Sequence, residues 1–120
     1  MPLKGRNDSK IKIRASKGQF TINQKERDVL NDFVGICRKN NIEIIAFCSP
    51  IYQDFSYERI ELARVCVEYR IPFYDYSNDK YYINHPELFW DNAHLNEEGA
   101  QFYTKEIIST LKQVISEIDL

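Results

Sequence analysis

The chain has 120 residues, 43% of them hydrophobic and 28% charged, which is the size and composition of one soluble globular domain. Sixteen basic and 18 acidic side chains give a net charge of −2, which excludes a uniformly basic nucleic-acid-binding protein. No apolar run of about 18 residues occurs, so the sequence predicts no membrane segment in this chain.

Residues 1–20 differ from the rest of the chain in charge. Residues 1–17 carry six basic side chains and one acidic side chain. Residues 10–15 alternate polar and apolar positions, which favours an edge strand, but the same composition also fits a disordered basic arm. Such an arm is a solvated terminus or a binder of an anionic polymer, and from the overall charge we expect no nucleic acid partner.

An amphipathic helix is predicted after this arm. Either Thr21 or Asn23 can cap its start, and a glutamine or glutamate three residues later can complete a capping box. Asn40 and Asn41 can supply the left-handed turn that ends it. Its apolar positions recur at three- and four-residue spacing and are Val29, Leu30, Phe33, Val34 and Cys37.

Two short strands flank a second predicted helix. Residues 42–48 are almost wholly apolar and rich in β-branched side chains, which predicts a strand buried on both faces. A helix is predicted over about residues 57–69, with Ile60, Ala63, Cys66 and Val67 on its apolar side. Residues 72–76 then predict a shorter strand.

A loop over residues 77–92 leads to the last predicted helix, which begins near Asn96. That residue can cap the helix, and Gly99 permits close packing at its start. The predicted apolar stripe of this helix is Ala100, Tyr103, Ile107, Leu111, Val114 and Ile118.

The alternation of helices and strands predicts an α/β domain over residues 21–120, with a small parallel sheet and flanking helices. Buried parallel strands normally belong to larger sheets, so the sequence is typical of part of a doubly wound domain.

Three cysteines, Cys37, Cys48 and Cys66, lie in apolar stretches at spacings that match no zinc site. We interpret them as reduced cysteines that pack as small hydrophobic side chains. A reducing, cytoplasmic location is therefore expected.

The residues with the clearest chemical potential are Asp91 and His94. Because they lie three residues apart, one tight turn can set the carboxylate against the imidazole Nδ1–H and leave Nε2 free as a general base. The alternative is a turn in which both side chains satisfy backbone groups. A metal site that adds His85 has no diagnostic spacing, so no metal and no cofactor are expected.

The pattern Asp91-x-x-His94-Leu95-Asn96-x-x-Gly99-Ala100 resembles the final block of SGNH hydrolases, the GDSL-type esterases and acyltransferases. In that family the block carries the catalytic Asp and His. Residues 44–52 and 71–75 are similar to the last strands of its flavodoxin-like, three-layer α/β/α fold. The likeness is greatest to bacterial membrane-associated SGNH proteins, including acyltransferases that modify cell-surface polymers.

The resemblance covers the C-terminal half of that domain. The Gly-Asp-Ser turn that carries the nucleophile and the Gly-x-Asn-Asp segment that supplies oxyanion donors do not occur in this sequence. Ser49 is followed by Pro50, which has no N–H to serve as an oxyanion donor. The resemblance thus implies an esterase or acyltransferase fragment, inactive alone, or a truncated relative that acts as a binding module.

Aromatic side chains surround the candidate pair. Tyr52, Tyr76 and Trp90 are candidate substrate-binding residues for an acyl chain or sugar ring, with ordinary packing of a long loop as the alternative. The resemblance implies an ester or acylated carbohydrate as substrate, and the cell envelope as location if the natural protein is longer. An incomplete sheet leaves an open edge, so a homodimer is expected.

Overall fold

The computed structural model describes residues 21–53 and 56–118, so the predicted arm or edge strand of residues 1–20 lies outside the described residues. The predicted order of helices and strands is confirmed. The elements are α1 (Gln24–Lys39), β1 (Ala46–Cys48), α2 (Ser56–Glu68), β2 (Phe73–Asp75), α3 (Lys80–Ile83), a 3₁₀ turn (Pro86–Leu88) and α4 (Glu97–Ile118).

Helix α1 begins at a capping box formed by Asn23, and not by Thr21. The Asn23 side chain accepts the Glu26 N–H at 2.8 Å, and the Glu26 carboxylate accepts the Asn23 N–H at 2.9 Å. The helix ends where Asn41 takes a positive φ of 58°. This conformation suits asparagine, so the predicted left-handed turn is confirmed at the second of the two asparagines.

Strands β1 and β2 form the sheet of the described residues, a two-stranded parallel sheet crossed over by α2. Its register pairs Ala46 with Phe73 and Cys48 with Asp75. The predicted strand over residues 42–48 is too long, because only its last three residues join the ladder. The prediction that it is buried on both faces is also wrong, since all three residues are half-buried.

The apolar face predicted for α1 is only partly correct. Val34 and Cys37 are buried, whereas Val29 and Phe33 are 64% and 54% exposed. With Ile36, which is also exposed, these two residues form a row at four- and three-residue spacing that we call the α1 stripe. The stripe lies opposite the face of α1 that binds α2 through Arg27 and Glu68.

The apolar side predicted for α2 is also only partly correct, because Cys66 is buried and Ala63 is half-buried. Ile60 and Val67 are exposed, whereas Val65, Cys66 and Glu61 are buried. The Glu61 carboxylate accepts the Ile22 N–H at 3.2 Å, and this backbone hydrogen bond holds the pKa of Glu61 below its usual value. The buried Glu61 carboxylate thus has a hydrogen-bond donor in the segment before α1, and the spacing of apolar residues along α2 does not reveal this contact.

The main core cluster lies between α4 and the segment before it. It consists of the buried side chains Tyr82, Leu88, Phe89 and Tyr103. Burial raises the pKa of Tyr103 to about 12. The predicted loop over residues 77–92 is therefore more ordered than expected. Within it, α3 supplies Tyr82 and the 3₁₀ turn supplies Leu88, and Phe89 follows in a bridge with Leu95.

Helix α4 begins as predicted. The Asn96 side chain accepts the Gly99 N–H at 2.9 Å, which is an N-cap contact. The predicted stripe holds in the middle of the helix, where Tyr103 and Val114 are buried, and fails at its ends, where Ala100 and Ile118 are exposed.

All three cysteines are free thiols, as predicted, and burial raises the pKa of Cys66. In the part of the chain that the structure describes, no helix has the length and apolar character to cross a membrane.

Candidate functional site

Asp91 and His94 meet in one tight turn between the 3₁₀ turn and α4. The Asp91 Oδ1 atom lies 2.8 Å from His94 Nδ1. The same oxygen accepts the Ala93 N–H at 2.8 Å, and the Trp90 N–H donates to the His94 carbonyl at 2.8 Å. The local spacing of the two residues therefore produces the expected contact.

The charge state of Asp91 decides which ring nitrogen of His94 is available. Burial disfavours the charged form of Asp91, but hydrogen bonds from His94 and the Ala93 N–H outweigh it and hold the pKa of this carboxyl below its usual value. An ionised carboxylate only accepts hydrogen bonds, so Nδ1 carries the proton and Nε2 of the neutral ring keeps its lone pair. The His94 side chain is 72% exposed, so this lone pair is open to a substrate.

A short antiparallel bridge holds the two ends of the turn together. Phe89 pairs with Leu95 across it, and Phe89 is fully buried in the core cluster. One end of the turn is thus fixed to the core, whereas the His94 side chain is exposed and Asp91 is half-buried.

Two of the three candidate aromatic residues lie at this turn. Trp90 is half-buried within it. The Tyr52 N–H donates to the Asn92 carbonyl at 2.7 Å, and its ring packs on Phe89 with centroids 5.3 Å apart. The loop after β1 is therefore joined directly to the Asp91–His94 turn.

Tyr76 has a different environment. Its hydroxyl lies 3.2 Å from the Thr110 hydroxyl, and its ring meets Tyr103 edge-on with centroids 5.4 Å apart. These contacts bind Tyr76 to α4 and not to the Asp91–His94 turn.

The two serines at the strand ends are not partners of His94. Ser49 is exposed after β1 and precedes the buried Pro50. Ser77 is 1% exposed, and its hydroxyl donates to Asp75 at 2.5 Å. Neither serine is hydrogen-bonded to His94, whose bond in the described part of the chain joins Nδ1 to Asp91.

His85 makes its contacts with Tyr81 and not with the Asp91–His94 pair. Its Nδ1 atom is 2.6 Å from the Tyr81 carbonyl, and its ring stacks on Tyr81 at a centroid distance of 4.2 Å. Among residues 21–53 and 56–118, no three His, Cys, Asp or Glu side chains come close enough together to hold a metal ion.

A polar cluster at the carboxyl ends of both strands was missed in the sequence. Asp75 lies at the end of β2, with the guanidinium Nε of Arg59 at 3.6 Å from its Oδ2. Burial and the charge of Asp75 raise the pKa of the Cys48 thiol at the end of β1. The sequence does contain a signal for this cluster, because each of the two predicted strands is followed within two residues by a serine, and the ends of paired parallel strands lie side by side.

No protein-family model, curated protein or solved structure matches this chain.

Proposed function

We propose that the chain carries the Asp/His half of a serine esterase or acyltransferase site of the SGNH type. In this proposal His94 is the general base and Asp91 orients its ring. The observation that carries the proposal is the 2.8 Å contact between Asp91 Oδ1 and His94 Nδ1, on a side chain that is 72% exposed. The two residues that meet in the structure, Asp91 and His94, are also the two that carry the resemblance to the SGNH block in the sequence.

The proposed chemistry is acyl transfer. His94 Nε2 takes the proton from a serine hydroxyl as its oxygen attacks an ester carbonyl. The imidazolium that forms is stabilised by the ionised Asp91, and it then returns the proton to the departing alkoxide. Either water or a second hydroxyl takes the acyl group from the serine, which completes hydrolysis or transfer.

The nucleophile and the oxyanion donors belong, in this proposal, to sequence outside these 120 residues. Neither Ser49 nor Ser77 is bonded to His94, and the family's Gly-Asp-Ser turn does not occur. The described α/β unit then corresponds to the last part of a flavodoxin-like, three-layer domain. In this proposal Tyr52, which is bonded to the turn at Asn92, and Trp90 within the turn would contact the acyl chain or sugar ring of the substrate.

The isolated chain should therefore show no esterase turnover. We expect the wild type, His94→Ala and His85→Ala to hydrolyse short p-nitrophenyl esters at the same background rate. A base without a nucleophile or oxyanion donors has no attacking hydroxyl to activate. The measurement is release of p-nitrophenol at pH 8, and a rate that falls only in His94→Ala would place a working nucleophile within this chain.

A second candidate function is an interaction module, and the α1 stripe favours it. A groove of about 570 Å³ lies beside Val29 and Phe33, lined by Ile22, Lys25, Glu26 and Leu30. Contiguous exposed apolar surface of this kind marks binding sites on soluble proteins. We propose a second copy of the chain as its occupant.

Charge complementarity supports this occupant. At 3.6 residues per turn, Asp28 and Lys39 lie on the same side of the α1 stripe. When two α1 helices pair antiparallel about Phe33, each Lys39 meets Asp28 of the other copy, and the opposed helix dipoles attract. The pairing buries the apolar stripes against each other.

Sedimentation equilibrium tests this homodimer. Phe33→Glu should weaken association by at least about tenfold, because it places a carboxylate in an apolar contact. Asp28→Lys should also weaken it, and the double variant Asp28→Lys/Lys39→Asp should restore it. Wild-type protein that stays monomeric at micromolar concentrations would contradict the proposal.

A further inference from the structure

Asn96 joins three residues on both sides of the Asp91–His94 turn through its side chain and its backbone N–H. It is 3% exposed and lies two residues after His94. Its side-chain NH₂ donates to the Glu87 carbonyl at 2.7 Å, and its side-chain oxygen accepts the Gly99 N–H at 2.9 Å. Its backbone N–H donates to the Leu88 carbonyl at 2.8 Å.

We propose that Asn96 is a positioning residue for the Asp91–His94 pair, holding the two ends of the turn at the separation that brings carboxylate and imidazole together. The catalytic meaning of this role rests on the proposed function. The positioning itself concerns only the geometry of the turn, so the two can fail separately.

The contacts divide between the two ends of the turn. Glu87 and Leu88 belong to the 3₁₀ turn before it, and Gly99 belongs to the first turn of α4 after it. One buried amide therefore joins the segment that leads to Asp91 to the segment that follows His94. An N-cap alone needs only the acceptor half of this amide.

The choice of side chain follows from this double role. The asparagine amide has both a donor and an acceptor. Serine is a good N-cap that keeps an acceptor, but its hydroxyl is shorter than the amide and does not reach both partners. Aspartate keeps the cap and lacks the donor, and it would set a carboxylate oxygen against the Glu87 carbonyl.

The backbone of α4 at Gly99 lies in close contact with the 3₁₀ turn at Leu88, so the two ends of the Asp91–His94 turn cannot separate without loss of this packing. A β-carbon added at Gly99 would lie 2.2 Å from the Leu88 carbonyl oxygen and 2.9 Å from the Leu95 side chain. The start of α4 therefore lies directly against the 3₁₀ turn, and Asn96 bridges the two at this point of contact.

Two variants of Asn96, serine and aspartate, test the role by NMR. The readouts are the ¹³C titration of the Asp91 carboxyl and the ¹⁵N shifts of the His94 ring, which report the protonated nitrogen. We expect the pKa of Asp91 to rise toward its usual value in Asn96→Ser, because its hydrogen bonds lengthen, and the Nδ1–H form of His94 to lose population; in Asn96→Asp the added carboxylate contributes to the same rise. The matched control is Asn23→Ser at the cap of α1, where a similar Asn contact spans 2.8 Å and neither readout should change.

The proposal is overturned if Asn96→Ser folds and leaves both readouts at their wild-type values. If the variants do not fold, a measurement on the wild-type chain still tests the proposal. The Asn96 side-chain NH₂ should exchange with solvent at least about 100-fold more slowly than an exposed asparagine amide, since it is buried and bonded. Exchange at the rate of an exposed amide would also overturn it. No ester substrate is used, so either result stands whether or not the chain belongs to an esterase.

Discussion

Replacing Gly99 with alanine should lower the free energy of unfolding by about 3 kcal/mol, at the upper end of typical overpacking costs. The new β-carbon would lie 2.2 Å from the Leu88 carbonyl oxygen. Backbone cannot move aside as a flexible side chain can, so the start of α4 must shift away from the 3₁₀ turn. Urea unfolding followed by circular dichroism measures the change.

Gly35 is the matched control, because it also lies within a helix. A β-carbon there meets nothing within 4 Å. Gly35→Ala should therefore raise the stability by about 0.5–1 kcal/mol through helix propensity alone. A Gly99→Ala variant as stable as the wild type, or a loss of equal size at both glycines, would contradict the packing described for the start of α4.

Local signals in the sequence predicted the order of α1, β1, α2, β2 and α4 and the caps at the start of α1 and α4. Asn23 and Glu26 form the capping box because both partners lie within one turn of chain. Asn96 caps α4 and Asp91 reaches His94 for the same reason. Contacts over three residues depend mainly on local backbone conformation, so spacing indicates the candidates, although it left Thr21 and Asn23 as alternatives.

Burial could not be predicted in the same way. Val29 and Val67 have the spacing of core residues, yet both are exposed. Glu61 is buried because the Ile22 N–H reaches it from 39 residues away. Periodicity shows which side chains share a face, but the covering of that face depends on distant segments, and the described sheet is too small to cover every apolar face.

In the candidate site, too, local contacts were predicted and contacts between distant residues were not. The pairing of Asp91 with His94 is local and was predicted, whereas the bond from Asn96 to the Glu87 carbonyl spans nine residues and was missed. Tyr76 was a candidate for substrate binding from its place among aromatic residues. Its bond with Thr110 joins residues 34 apart, which no local pattern indicates.

We expect the largest effect of any substitution from His94→Ala, measured as loss of esterase activity once the missing N-terminal half of the domain is supplied. The N-terminal half of an SGNH esterase, with its Gly-Asp-Ser turn and Gly-x-Asn-Asp segment, supplies the groups that this sequence lacks. In the proposed function, that half, co-expressed with this chain, would extend the two-stranded sheet formed by β1 and β2. The serine hydroxyl would then have a base, and its attack on an ester would become His94-dependent.

The activity of this co-expressed pair tests the central claim most directly. We expect the purified complex to hydrolyse p-nitrophenyl esters, His94→Ala to lower kcat/KM by about 10²–10⁴-fold, and Asp91→Asn to cause a large loss as well. His85→Ala, the matched control, should leave the rate unchanged, because His85 is bonded to Tyr81 and not to Asp91. A complex that assembles and is inactive, or one whose activity survives His94→Ala, would contradict the assignment of His94 as the general base.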